Sequence, residues 1–191
     1  MLVEAAIVDE QGNFLPADGQ TQGELVLRAP WLTESYFREP EKGRELWAGG
    51  WLHTGDVATL DGFGFIDIRD RIKDVIKTGG EWLSSLALED LCSRHAAVRE
   101  VAVVGIPDPQ WGERPFALIV AHEGQLIDAS VLKAHLTPFV EQGHINKWAI
   151  PQQIAVVPEI PKTSVGKLDK KRMRLDIAEW QSSNSVLLST L

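Results

Sequence analysis

The chain has 191 residues, of which 44% are hydrophobic and 24% are charged, and it carries a formal net charge of −8. These values are typical of one globular domain or two small ones. Because the apolar runs are short and the first residues lack a leader pattern, we expect neither a membrane span nor a signal peptide. The single cysteine, Cys92, cannot form an internal disulfide, which favours a cytoplasmic location.

Acidic charge is concentrated in the first part of the chain. Residues 1–70 contain 13 acidic and five basic side chains, whereas residues 71–191 contain 14 of each. This change in composition predicts a boundary near residue 70. The acidic balance argues against a general nucleic-acid-binding protein.

The first 70 residues predict a β-rich segment. Alternation of polar and apolar residues indicates strands at residues 3–9 and 24–28. Asp61 and Gly62 separate two further strand-like runs and predict a two-residue hairpin turn, because both positions tolerate positive φ. No core of helix and sheet is obvious here, so we expect residues 1–70 to finish a larger domain.

Residues 71–180 predict a small α+β domain with the order β-α-β-β-α-β, followed by a basic helix. The expected elements are a helix at 86–94 capped by Ser84 or Ser85, strands at 98–106 and 116–122, a helix capped by Asp128 and weakened near its end by Pro138, a strand at 153–157 and a short basic helix at 169–174. Pro107 is expected to end the first of these strands. Residues 181–191 are rich in serine and are expected to fray or to be disordered.

A first polar motif, His53-Thr54-Gly55-Asp56, precedes the predicted hairpin. A carboxylate at the end of a strand can accept hydrogen bonds from the two hydroxyls of a ribose, as it does in nucleotide-binding sites. Asp56 could equally satisfy the backbone amides of a turn, which is the commoner role of a Gly-Asp pair. From these residues alone the turn role is favoured.

A second motif begins at Arg71. If this stretch is extended, its spacing places Arg71, Lys73 and Lys77 on one face, where phosphate oxygens are natural partners for three cations. The alternative is a solvated sheet edge protected by lysines. Gly79 and Gly80 follow, and they allow the backbone to approach a ligand closely.

A third motif, residues 161–170, contains Gly166 and Lys167. It is not a Walker A phosphate loop, because Pro161 stands where the first glycine is needed and Leu168 stands where Ser or Thr is needed. A lysine on a flexible loop can instead deliver a cation to a phosphoryl or carboxylate group during a reaction. The alternative is a surface lysine at the head of a basic run. That run comprises Lys170, Lys171, Arg172 and Arg174.

The remaining reactive residues show no catalytic pattern. The five histidines lack metal-ligand spacing, and no Ser-His-Asp order stands out. Cys92 falls on an apparent core face of the helix at 86–94. We therefore expect no metal site and no nucleophilic triad in this chain.

Taken together, the motifs resemble the C-terminal third of the adenylate-forming superfamily, which includes acyl-CoA synthetases, luciferases and peptide-synthetase adenylation domains. The matching stretches are Gly-Glu-Leu-Val-Leu-Arg-Ala-Pro at 23–30, Gly-Trp-Leu-His-Thr-Gly-Asp at 50–56, Asp-Arg-Ile-Lys-Asp-Val-Ile-Lys-Thr-Gly-Gly-Glu at 70–81 and Pro-Lys-Thr-Ser-Val-Gly-Lys-Leu-Asp-Lys at 161–170. Their order and spacing make the combination specific. The resemblance implies that residues 1–70 end the large AMP-binding domain and that residues 71–180 form a mobile lid domain.

The resemblance also implies a role for each candidate site residue. Asp56 would hold the ribose hydroxyls of ATP or AMP, and Arg71 would reinforce that contact. Lys77 would lie near the nucleotide or near the site where the thioester forms. Lys73 would be the hinge about which the lid rotates. Lys167 would be the catalytic lysine that bridges the substrate carboxylate and the α-phosphate. The coenzyme A path would be lined by Gly79, Gly80, Glu81 and Trp82.

The implied reaction is the ATP-dependent activation of a carboxylic acid to acyl-AMP, followed by transfer to coenzyme A. The variant stretch at residues 81–85 favours medium- or long-chain fatty acids.

The family's phosphate loop and Tyr-Gly-x-Thr-Glu stretch do not occur in these 191 residues. We therefore expect a fragment that is inactive alone, with the magnesium ligand elsewhere in the parent protein. The alternatives are a stand-alone module that binds nucleotide or coenzyme A or docks on a partner, and part of a peptide-synthetase adenylation domain.

Overall fold

A computed structural model describes the backbone of residues 3–188 and the side chains through residue 182. The described chain divides into two compact units, the first ending at Lys73 and the second beginning at Asp74. Helices accompany sheets whose strand pairs are mostly antiparallel, which confirms the predicted α+β class. The division falls three residues after the boundary that charge and composition predicted.

Within residues 3–73 the strands form one antiparallel sheet in the order β1 (Glu4–Val8), β2 (Gln22–Arg28), β3 (Leu52–Leu60) and β4 (Ile66–Arg71). A short helix, α1 (Pro40–Leu46), and a 3-10 turn (Ala48–Gly50) connect β2 to β3. The sheet has a buried core, contrary to the expectation from sequence. Ile7, Val26 and Val57 are fully buried in it.

The connection between β3 and β4 differs from the predicted two-residue turn. Gly64, with φ of +89°, adopts the left-handed conformation, whereas Gly62 does not. The Asp61 carboxylate accepts hydrogen bonds from the amides of Phe63 and Phe65, both at 2.9 Å. An aspartate that satisfies local amides in this way organises a longer loop, so the prediction of a tight Asp-Gly turn is wrong.

The second unit, over the described residues from 74 onward, contains a mixed sheet and three helices. Its elements are β5 (Ile76–Thr78), β6 (Glu81–Leu83), α2 (Ser85–Ser93), β7 (Val98–Asp108), β8 (Gly112–Ala121), α3 (Ala129–Glu141), β9 (Gln153–Val156) and α4 (Lys170–Leu188). The antiparallel order is β6-β5-β8-β7, and β9 adds to β8 in parallel. The β5–β6 hairpin and α1 were not predicted.

Helices cover both faces of this sheet. Leu88 of α2 and Leu132 of α3 pack in a cluster that includes Val103 of β7. The next residue along the strand, Val104, belongs to a second cluster, where it packs with Met173 of α4. Successive strand residues point to opposite faces, so the unbroken apolar run in β7 is explained by burial on both sides.

The predicted helix starts are confirmed by side-chain capping. The Ser84 hydroxyl accepts a hydrogen bond from the amide of Ala87 at 3.1 Å, at the start of α2. The Asp128 carboxylate accepts from the amides of Ser130 and Val131 at 2.8 and 2.9 Å, at the start of α3. Both caps satisfy amides that have no partner within the helix.

Two predicted ends are wrong, those of β7 and α4. β7 runs through Pro107 to Asp108, which is tolerated because β7 lies at the edge of the sheet. α3 includes Pro138 and ends three residues later, at Glu141, which agrees with a helix weakened near its end by Pro138. α4 extends to Leu188, so residues 181–188 are helical rather than frayed, and residues 189–191 of the predicted tail lie outside the described range.

None of the helices in residues 3–188 has the length and apolar character needed to cross a membrane.

Candidate functional site

Asp56 lies in a wide bulge of β3. Glu24 pairs with Val57 and Val26 pairs with His53, so Thr54, Gly55 and Asp56 together oppose a single residue of β2. A bulge of this kind bends the strand and redirects its side chains. Residues 54–56 of the predicted polar motif therefore interrupt the regular hydrogen bonding between β2 and β3.

Glu24 and Thr54 hold this bulge in place. The Thr54 hydroxyl donates to the carbonyl of Leu25 at 2.8 Å. The Glu24 carboxylate accepts from the amide of Gly55 at 3.1 Å and lies 2.8 Å from Nδ1 of His53. These hydrogen bonds satisfy polar groups of the bulge. The carboxylate of Asp56 is therefore not needed to stabilise the bulge itself.

The carboxylate of Asp56 instead faces a guanidinium. Asp56 and Arg71 are cross-strand partners in β3 and β4, and Arg71 Nε lies 3.3 Å from Asp56 Oδ1. The Arg71 side chain is 63% exposed and that of Asp56 is 25% exposed. An exposed pair of this type adds little stability. It does offer an acceptor and several donors side by side, which suits a ligand that carries both hydroxyls and an anionic group.

Lys73 lies at the end of the first unit, immediately before the division between Lys73 and Asp74. Residues 72–74 form a turn between β4 and β5, so the expectation that Arg71, Lys73 and Lys77 share one face of an extended strand is wrong. Asp74, the first residue of the second unit, is bound by Arg174 of α4 at 3.3 Å. The residue directly after Lys73 is thus bound by a helix of the second unit. The turn at residues 72–74 connects the two units.

The β5–β6 hairpin carries the residues predicted for coenzyme A. Gly79 and Gly80, with φ of +58° and +83°, form a two-residue turn that requires left-handed backbone at both positions. A Cβ on Gly79 would lie 3.3 Å from the Trp111 ring, so glycine lets that indole pack against the turn. Lys77 Nζ lies 5.5 Å from the centroid of the Trp82 ring, within range of a cation–π contact.

Glu81, also in this hairpin, is engaged by neighbouring side chains. Its Oε2 accepts from Nδ2 of Asn146 at 2.8 Å and from Nε1 of Trp148 at 3.1 Å. These bonds tie β6 to the segment that precedes β9. The geometry therefore gives Glu81 a bracing role, and its predicted contact with coenzyme A stays a prediction.

Lys167 is exposed and lies at the closing pair of a tight turn between β9 and α4, whose tip is formed by residues 164–166. The amide of Thr163 donates to the carbonyl of Lys167 at 2.7 Å, and the amide of Lys167 donates to the Thr163 hydroxyl at 3.2 Å. Gly166, with φ of +79°, makes the turn possible. A loop closed on itself in this way presents the ammonium group to solvent from an ordered backbone.

The comparisons with known proteins agree on one family. Residues 87–167 match the family model described as the AMP-binding enzyme C-terminal domain. A 3-methylmercaptopropionyl-CoA ligase of Ruegeria lacuscaerulensis is 46% identical over 172 residues, which cover 90% of this chain and 31% of that protein. A long-chain-fatty-acid–CoA ligase of Thermus thermophilus is 41% identical over 174 residues, which cover 91% and 31%.

The chain belongs to the adenylate-forming superfamily. Solved structures of the superfamily have the same fold. The amide bond synthetase McbA of Marinactinospora thermotolerans matches with a TM-score of 0.75 and 35% identity, over 91% of this chain and 34% of that one. ATP-bound MatB of Rhodopseudomonas palustris matches with a TM-score of 0.76 and 29% identity, over 91% and 34%. The chain spans about a third of the length of these relatives.

The structure shows two residues near the candidate site that the sequence motifs did not indicate, Glu24 and Lys170. Glu24 reads in the sequence as an ordinary polar residue of an alternating strand, although it supports the bulge beside Asp56. Lys170 reads as the first member of an exposed basic run, yet only 7% of it is exposed. Neither residue carries a local signal, because the partner of each lies many positions away in the chain.

Cys92, the only cysteine in the sequence, is not suited to act as a nucleophile. Its side chain is fully buried in α2. Burial, assisted by the negative charge of Glu89, raises the pKa of the thiol from 9.0 to about 12. The thiolate that would react is therefore scarce at neutral pH.

We expect the thiol of Cys92 to resist alkylation at pH 8 in the folded protein and to react fully once the protein is unfolded. The neutral thiol is favoured in the folded state, so this contribution to stability is complete below pH 9.0 and decreases as the pH approaches 12. Mass spectrometry after timed exposure to iodoacetamide measures the rate. Labelling of the native protein as fast as that of the unfolded protein would contradict the buried position.

Proposed function

We propose that this chain is the nucleotide-binding edge and lid of an ATP-dependent carboxylic acid–CoA ligase. The observation that carries the proposal is the arrangement of three candidate groups. Asp56 and Arg71 are paired across β3 and β4. Lys167 lies on an exposed loop of a second compact body, and the division between the bodies falls directly after Lys73. This is the layout that a two-step ligase with a rotating lid needs.

In the first step, a carboxylate oxygen of the acid attacks the α-phosphorus of ATP, and the bond to the leaving pyrophosphate breaks. Asp56 accepts hydrogen bonds from the ribose hydroxyls, and Arg71 supports that carboxylate. Lys167 contacts both the attacking carboxylate and the α-phosphate, where its charge offsets the negative charge that builds up between two anions. Lys77 assists near the nucleotide. The magnesium that accompanies ATP is expected to be held by residues outside this chain.

In the second step, the thiolate of coenzyme A attacks the acyl carbonyl carbon, a C–S bond forms, and the C–O bond to AMP breaks. The lid would turn about Lys73 so that Lys167 leaves and the β5–β6 hairpin arrives. The Gly79-Gly80 turn has no Cβ atoms and can lie close to the pantetheine chain. Trp82 and Glu81 are the other members of the proposed coenzyme A path.

The choice of a thiol acceptor is supported by the curated relatives, which are named as CoA ligases at 46% and 41% identity. McbA, at 35% identity, is named as an amide bond synthetase, so transfer to an amine is the second candidate. The proposed acid is a medium- or long-chain fatty acid, in line with the long-chain and medium-chain relatives. A cytoplasmic location, expected from the single cysteine, is part of the proposal.

The function is tested by two assays on the complete enzyme. Acid-dependent exchange of labelled pyrophosphate into ATP measures the first step, and release of AMP with coenzyme A or with simple amines measures the second. The acid panel should include 3-methylmercaptopropionate and fatty acids of increasing length. Exchange with none of the acids would refute the ligase, whereas exchange followed by transfer only to amines would favour the second candidate.

The 191 residues alone should not catalyse pyrophosphate exchange, because the phosphate loop of the superfamily is not among them. A stand-alone module that binds nucleotide or coenzyme A or docks on a partner, and part of a peptide-synthetase adenylation domain, are the remaining alternatives. Exchange by the isolated chain would contradict the proposed division of labour.

Replacing Lys73 with proline should separate the two steps. Proline fixes φ near −65° and restricts the residue before it, so the turn can no longer pass between two conformations. We expect pyrophosphate exchange to stay within about twofold and thioester formation to fall at least ~10-fold. Lys73→Ala is the matched control, since it removes the ammonium group but leaves the backbone free. If thioester formation is unchanged in Lys73→Pro, Lys73 is not the hinge.

A further inference from the structure

A buried ion pair anchors the loop that presents Lys167. Lys170 is the first residue of α4, three positions after Lys167, and it is only 7% exposed. Its Nζ lies 2.7 Å from Oε1 of Glu89 and 2.6 Å from the hydroxyl of Ser85, both in α2. Glu89 Oε1 also accepts from the amide of Val103 in β7 at 2.8 Å. The ammonium group thus joins the start of α4 to α2, and the Glu89 carboxylate links α2 in turn to β7.

The other end of the loop is held more weakly. Lys162 pairs with Glu100 at 2.8 Å, but the Lys162 side chain is 46% exposed. Lys162 and Leu168 form a single β-bridge, and the amide of Asp169 donates to the carbonyl of Pro161 at 2.9 Å. These backbone contacts close the loop on itself, whereas the ion pair of Lys170 fixes it to the body of the domain.

Stability alone does not explain why this position holds a buried lysine. Removing an ammonium and a carboxylate from water is costly, and an apolar pair of similar volume is often as stable. Leu168 and Met173, on either side of Lys170, already pack against the apolar cluster beneath α4. What an ion pair with several hydrogen bonds adds is a fixed direction and distance. Such precision matters next to a catalytic lysine, because a small displacement of a reacting group has a large effect on rate.

We propose that the Lys170–Glu89 ion pair is a positioning element that fixes where the Lys167 ammonium group can reach, and that it serves the adenylation step. This inference rests on the proposed function, in which Lys167 acts in adenylation and has left the site before thioester formation. Lys170 touches no substrate and acts through Lys167. Its loss should therefore harm one step and spare the other.

The test compares both steps in the complete enzyme with Lys170→Met and with Lys171→Met. Lys171 is exposed and adjacent, so Lys171→Met removes one positive charge from the same turn without touching the pair. For Lys170→Met we expect pyrophosphate exchange to fall roughly 10- to 100-fold. Thioester formation from supplied acyl-AMP should stay within about threefold, and Lys170→Arg, which keeps the positive charge but places a larger head group in the buried site, should recover part of the exchange activity.

A second variant covers the case in which Lys170→Met folds poorly. Glu89→Gln keeps an oxygen that can accept from Lys170 and from Val103, so the hydrogen bonds are retained while the ammonium group of Lys170 loses its counter-charge. Exchange should fall by a smaller factor, again with thioester formation spared. Amide hydrogen exchange should increase at Gly166 and Lys167 in both variants and not in Lys171→Met.

Equal loss of both steps in Lys170→Met and Glu89→Gln would show that the pair is only structural and would overturn the inference. The same conclusion would follow if both variants matched Lys171→Met. Lys167→Ala, measured alongside, separates this failure from that of the proposed function. If Lys167→Ala loses adenylation while the pair variants do not, only the positioning role is wrong. Normal adenylation in Lys167→Ala would remove the role proposed for Lys167, and exchange with none of the acids in the unsubstituted enzyme would refute the ligase itself.

Discussion

Lys167→Ala should lower acid-dependent pyrophosphate exchange roughly 100- to 1,000-fold, the range seen when one electrostatic donor is removed from a reacting centre. The carboxylate and the α-phosphate are both anionic, so their approach is opposed unless a cation lies between them. Lys167 is an exposed cation on the ordered loop between β9 and α4. Thioester formation from supplied acyl-AMP should remain within about threefold, because no anion attacks phosphorus in that step.

The matched control for this variant is Lys171→Ala, an exposed lysine in the first turn of α4. It removes the same charge from the same domain and should leave both steps unchanged. The folded state of each variant should be checked by thermal unfolding. A parallel loss of both steps in Lys167→Ala would count against its assignment to adenylation, even if the loss were large.

Asp56→Ala should reduce the kcat/KM for ATP by about 10- to 150-fold, since a hydrogen bond to a charged group contributes ~1.5–3 kcal/mol. The carboxylate of Asp56 lies in the bulge of β3, beside Arg71 at 3.3 Å. Unlike the loss of Lys167, this loss should also weaken thioester formation from acyl-AMP, because the adenylate carries the same ribose. Asp56→Asn keeps one acceptor oxygen and should be intermediate.

Asp67→Ala serves as the control for Asp56→Ala. Asp67 lies in β4 of the same sheet, and its side chain is 62% exposed and paired with Arg69. The KM for ATP should be unchanged in Asp67→Ala. An Asp56→Ala enzyme whose kcat/KM matches that of Asp67→Ala would show that the carboxylate satisfies only its own turn, which is the alternative that local sequence favoured.

The elements of the second unit could be predicted where a local signal and burial agree. Ser84 and Asp128 each precede an apolar helix, and both cap it as expected. The apolar run at residues 98–106 predicted a strand, and α2 and α4 cover its two faces. Such signals depend on a few adjacent residues, so the sequence displays them directly.

The predictions that failed depended on residues distant in sequence or on competing local chemistry. Asp61-Gly62 has the composition of a tight turn, but the Asp61 carboxylate stabilises a longer loop that turns at Gly64. Lys170 has the appearance of a surface lysine, and its burial depends on Glu89, far away in the chain. The charge of a residue in the sequence does not show whether its side chain is solvated or is paired with a distant residue in the folded protein.

The same limit applies to the candidate site. The motif around Asp56 indicated a nucleotide contact only through the resemblance, and the support that Glu24 gives to the bulge could not be predicted from either strand alone. The pairing of Asp56 with Arg71 required the register of β3 and β4. Sequence therefore identified which residues to examine, and the folded sheet supplied the reason for their arrangement.

The most direct test of the account is a crossed comparison of Lys167→Ala and Lys73→Pro in the complete enzyme, with each step measured in a single turnover. The account predicts that Lys167→Ala loses acyl-AMP formation and keeps thioester formation, whereas Lys73→Pro keeps the first and loses the second. If both variants lose the two steps by the same factor, the separation of the steps between a catalytic lysine and a hinge is contradicted.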